Sequence, residues 1–111
     1  MVREIKESDW KLFRRLRAVA LERFCQHVIE EINHTTSNCT GDYHKRYLEV
    51  FSLVRKRDEE LGRAFNDMRR SNAFILLASI KASQLLTDEE FSQFSQETRA
   101  TVEVILEIRH A

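Results

Sequence analysis

Apolar residues recur at intervals of three and four along most of the chain, the spacing of one face of an α-helix. Phe13, Leu16, Ala20, Phe24, Val28 and Ile32 form the first stripe. Leu21, Cys25 and Ile29 add a second stripe beside its latter half. The pattern predicts a helix from Asp9 to about Ile32, capped by Ser8, with Asp9 at the positive end of its dipole. A helix apolar on two sides in its C-terminal half is expected to be clasped there by several neighbours. From Asn33 to Asp42 the periodicity stops. Asn, His, Thr, Ser, Cys and Gly follow, residues that favour local side-chain bonds or turns, so this stretch predicts a loop.

A second long helix is expected from about Tyr43 to Arg69, with the stripe Tyr43, Tyr47, Val50, Phe51, Val54, Leu61, Phe65 and Met68. Charged residues from Arg55 to Glu60 interrupt it. By heptad spacing Arg57 or Asp58 faces the same side as Val54 and Leu61. A charge in an apolar seam needs a partner, because an unpaired buried charge costs several kcal/mol. Pairing across an interface would set register; a bend or an emergence into water would avoid the cost.

Arg70, Ser71 and Asn72 suggest a turn. The run from Ala73 to Leu86 is apolar nearly all round until Lys81, the pattern of a central, buried helix. Thr87 and Glu90 match a capping box, which opens a short helix with Phe91 and Phe94 inward. Ser95 is placed to cap a last helix carrying Val102, Ile105, Leu106 and Ile108. The expected fold is all-α, one domain over residues 1–111, an irregular bundle of four to five helices around the helix at 73–86.

Composition agrees. The 111 residues are 42% hydrophobic and 32% charged, with no proline and two glycines. Few breakers imply helices with few interruptions. Such a composition excludes a disordered tail, a collagen-like fibre and a disulfide scaffold. The first twelve residues hold no apolar signal-peptide core, and the longest apolar run, Ala73 to Ala78, falls far short of the ~20 residues of a membrane span. We therefore expect a cytoplasmic chain without a membrane partner. Cys25 and Cys39 then read as free thiols.

Net charge is zero but unevenly placed. Basic residues dominate the first helix, where Lys11, Arg14, Arg15 and Arg17 fall within two turns, and also Lys45 to Arg57. Acidic residues dominate Thr87 to Glu107. The basic helices could meet phosphates, or they could pair with the acidic segment within or between chains. No helix-turn-helix, zinc-finger or RNA-recognition signature accompanies them.

Two Glu-x-x-His matches, Glu31 with His34 and Glu107 with His110, put both residue types on one helical face, as di-metal bundles require. The third helix offers no Glu to complete that set. Cys25, His34, Cys39 and His44 suit zinc by type but lack a knuckle spacing. Glycine loops for phosphates and the nucleophile elbow of hydrolases are missing from the sequence.

These features favour a non-enzymatic protein–protein interaction module without a cofactor, self-associating as a homodimer and using Arg57 and Asp58. The alternatives are a nucleic-acid-associated regulator using Lys11, Arg14, Arg15 and Arg17, and a metal-dependent bundle enzyme using the Glu–His pairs.

Overall fold

The computed structural model describes residues 4–38 and 41–109, and the backbone of residue 110. Five α-helices follow one another: α1 Glu7–Asn38, α2 Tyr43–Phe65, α3 Ala73–Ala82, α4 Asp88–Ser92 and α5 Gln96–His110. A 3-10 turn, Arg70–Asn72, precedes α3. The fold is the expected all-α bundle, with α3 packed on α1, α2 and α5.

The first helix differs from expectation at both ends. It begins at Glu7, because the Trp10 N–H already donates to the Lys6 carbonyl at 2.8 Å. Ser8 is therefore inside the helix and not its cap. At the other end α1 runs on to Asn38, through most of the expected loop. The polar side chains bond backwards along the helix. The Thr36 hydroxyl donates to the Ile32 carbonyl at 3.1 Å, and the Asn38 amide donates to the His34 carbonyl at 2.9 Å. Ser, Thr and Asn bond local backbone in loops and helices alike, so their presence alone did not mark a break. Cys39, and with it any Cys25–Cys39 pairing, lies outside the described residues.

Asp42 caps α2, accepting from the Lys45 N–H at 2.9 Å. The helix stops at Phe65, four residues earlier than its stripe predicted, and the Asn66 N–H closes it on the Gly62 carbonyl. Asn72 then holds the turn, accepting from the Arg69 N–H and donating to the Asp67 carbonyl. The third helix ends at Ala82, not Leu86. Gln84 takes a left-handed φ of 61°, and the reversal turns Leu85 inward. Beyond it the capping box forms as expected: the Thr87 hydroxyl accepts from the Glu90 N–H, and the Glu90 carboxylate accepts from the Thr87 N–H.

The core is asymmetric along the long helices. Its buried apolar side chains include Phe13, Leu16 and Ala20 of α1, Phe65 of α2, Leu77 and Ile80 of α3, Phe91, Phe94 and Val102. Each of these larger than alanine contributes roughly 1.5–3 kcal/mol. Every buried residue of α1 lies in its first half, and Phe65 is the one buried residue of α2. The rest of α1 and α2 forms a two-helix arm reaching away from the body, and the molecule measures 54 × 30 × 24 Å. The C-terminal half of α1 is thus not clasped by several neighbours; from Cys25 onward its apolar side chains meet α2 and an open cleft.

Candidate functional site

Heptad geometry carries a row of side chains down one side of α2: Tyr43, Tyr47, Phe51, Val54, Asp58, Leu61 and Phe65, at spacings of three and four. Phe65, at the body end, is 1% exposed. Toward the arm tip the same row opens to solvent. Val54 is 42% exposed, Phe51 53%, Tyr47 64% and Tyr43 85%. The Tyr47 and Phe51 rings stack with centroids 6.3 Å apart, and the Arg46 guanidinium lies over the Tyr43 ring at 5.4 Å. Ile29 of α1 is exposed as well.

Between this row and α1 lies a cleft of about 220 Å³. Phe24, Cys25, Val28, Ile29 and Ile32 form its α1 wall, and Val54, Arg57, Asp58 and Leu61 its α2 wall. Cys25 is a half-buried free thiol within it. The walls are apolar apart from the two charged residues singled out by the heptad break.

These two charges have different fates. Arg57 turns toward α1 and is fully engaged within the chain. Its Nε and one NH2 donate to the two Glu31 oxygens at 3.0 and 2.9 Å, and its other terminal nitrogen donates to Glu60 at 2.8 and 2.9 Å. The Arg57 hydrogen bonds outweigh partial desolvation and hold the Glu31 carboxyl below its ordinary range. The partner that a charge in the seam demands is therefore inside the chain and not across an interface. Asp58 is exposed at the mouth of the cleft, and among the described residues it takes part in no ion pair or side-chain hydrogen bond.

Glu31 is thus committed to Arg57, while His34 meets the Asn38 amide at 3.0 Å. Glu107 is exposed on α5, and the His110 side chain lies outside the described residues. Among the described residues no three His, Cys, Asp or Glu side chains gather as a metal-binding group.

The basic first helix is likewise partly spoken for. Arg17 donates through Nε and NH2 to the Phe65 carbonyl at 3.2 and 2.7 Å and lies over the Phe65 ring. It satisfies a carbonyl at the C-terminal end of α2, where a cation is favoured by the dipole. Lys11 pairs with Glu7 one turn back, at 3.7 Å on the surface. Arg14 and Arg15 are exposed. Charges of opposite sign on distant segments meet inside the chain: Arg23 with Glu90 at 2.6 Å, Lys6 with Glu97 at 3.8 Å, and Lys81 with Glu103 at 3.5 Å.

Periodicity alone marks the apolar side of α2 but not where the core stops covering it. Its signal as a surface was the density of tyrosines toward the tip, since Tyr keeps one end wet. No helix among the described residues is long and apolar enough to cross a membrane. Compared with protein-family models, curated proteins and solved structures, the chain matches none.

Proposed function

We propose that this chain is a non-enzymatic interaction module that self-associates as a homodimer through the open side of the α1–α2 arm. One observation carries the reading: a single row of α2 side chains is core at Phe65 and solvent-exposed at Tyr47, Phe51 and Val54. Rings of this kind bury roughly 150–250 Å² each. With Val54 and Ile29, each about half exposed, they leave an apolar strip of roughly 300–400 Å², within the range of the largest patch on a monomer. A standard interface takes about 800 Å² from each partner, which this strip and its charged rim would supply.

A second copy is the favoured occupant because two such arms, laid face to face, complete a four-helix arrangement, and two-fold pairs are the commonest symmetric assembly. The free Cys25 thiol at the edge of this surface suits a reducing, cytoplasmic setting.

Size-exclusion chromatography with light scattering tests the proposal. The expected mass is twice the 13.2 kDa of the chain. Phe51→Glu is expected to return a folded monomer. A wild-type monomer at high micromolar concentration would refute self-association.

A further inference from the structure

Resting on the self-association reading, we infer that the two arms pair antiparallel about a two-fold axis between Ser52 and Leu53, with Tyr47 of each copy seated in the cleft of the other and its phenol donating to the partner's Asp58.

The exposed row itself restricts the register. It opens at Tyr43 and closes where Leu61 gives way to buried Phe65. An antiparallel pairing centred between Ser52 and Leu53 covers it from His44 to Leu61 and leaves Tyr43 at the rim. It sets His44 opposite Leu61, Tyr47 opposite Asp58, and Phe51 opposite Val54. Tyr47, Phe51, Val54, Asp58 and Leu61 belong to the row and His44 adjoins it beside Tyr43, so each layer is a meeting of positions on that side of the helix, as antiparallel helix packing requires. Sliding one heptad toward the body would bring Tyr47 against Phe65, already covered by its own chain. Sliding one heptad toward the tip would leave Asp58 and Leu61 uncovered.

Chemistry agrees with this register. Asp58 is the one charge of the row, and its own chain gives it no partner among the described residues. Burying it costs several kcal/mol unless donors meet it. The register brings it the Tyr47 phenol, a ring whose apolar body suits the walls formed by Ile29, Ile32 and Val54 and whose hydroxyl suits the carboxylate at the mouth.

Sedimentation equilibrium on the full chain tests the inference by a double-mutant cycle of Tyr47→Phe and Asp58→Ala. Each change is expected to weaken the dimer about tenfold, since the axis repeats the lost bond. The double variant is expected to be little weaker than the weaker single, because both remove the same contact. A dimer that Phe51→Glu dissociates but in which the two changes act additively would overturn the register and leave the self-associating face standing. A wild-type monomer, or a dimer indifferent to Phe51→Glu, would overturn both.

Discussion

The Asp9 carboxylate in the first turn of α1 accepts a hydrogen bond from the Thr98 hydroxyl in the first turn of α5, at 2.6 Å. The same carboxylate accepts from the Ser95 hydroxyl at 2.6 Å and from the Ser95 N–H at 3.1 Å. Ser95 in turn caps α5, accepting from the Thr98 N–H at 3.3 Å. An acid that looks like a dipole partner for its own helix therefore fastens the start of another, 86 residues further along the chain. Burial would raise the Asp9 carboxyl, but the Ser95 and Thr98 hydroxyls, the Ser95 amide and Lys6 together hold it below its ordinary value.

Replacing Asp9 with Ala strands one buried hydroxyl, at Thr98, and the half-buried hydroxyl and amide of Ser95. We expect a loss of about 2–3 kcal/mol, the range for bonds to a charged group, read as a lower urea midpoint at unchanged slope. Because its folded pKa is depressed, the contribution of Asp9 is present above the carboxyl's unfolded value and fades as pH falls through the folded one.

Glu90 predicts a sharper acid limb. The Arg23 guanidinium, with the Thr87 amide and hydroxyl, overcomes desolvation and holds its carboxyl at about 2, against an ordinary 4.5. Stability from this pair is fully present above pH 4.5 and is lost between there and about 2. Discounted for partial solvent exposure, it amounts to about 1–2 kcal/mol. Arg23→Ala is expected to lower stability at pH 7 by that amount and to flatten the decline between pH 4.5 and 2 in urea titrations. An unchanged acid limb would refute the assignment.

Arg17 is expected to behave as a structural residue. Arg17→Ala removes two bonds to the Phe65 carbonyl and the cation over its ring, a cost of about 1–2 kcal/mol by thermal or urea unfolding. Arg14→Ala and Arg15→Ala, at exposed positions, are expected to stay within about 0.5 kcal/mol of wild type.

Gln84→Gly is expected to stabilise the chain. The left-handed backbone at Gln84 costs an L-residue roughly 1–2 kcal/mol, partly offset by the greater flexibility of an unfolded glycine. A net gain of about 0.5–1 kcal/mol, read as a rise in melting temperature, is the expected result. A fall would mean that the Gln84 side chain contributes more than its backbone costs.

Much of the architecture was legible in the sequence alone. Three-and-four periodicity identified α1, α2 and α5 and an all-round apolar run identified α3, while the Thr87–Glu90 box and the Ser95 cap located the starts of α4 and α5 because these signals act within one turn. Local signals were weaker at Asn33 to Asn38, where polar side chains that suit a loop instead bond backwards along α1. They also failed at Phe65, where the stripe continues through Met68 but the backbone does not.

Tertiary structure decided the rest, because periodicity says which side of a helix is apolar and not whether anything covers it. Phe51 and Phe65 occupy the same row of α2, yet one meets solvent and the other the core. The same limit applied to charge. The sequence determined that Arg57 or Asp58 falls in the seam and there needs a partner or water; only the packing of α1 on α2 gave Glu31 to Arg57 and left Asp58 at an open cleft.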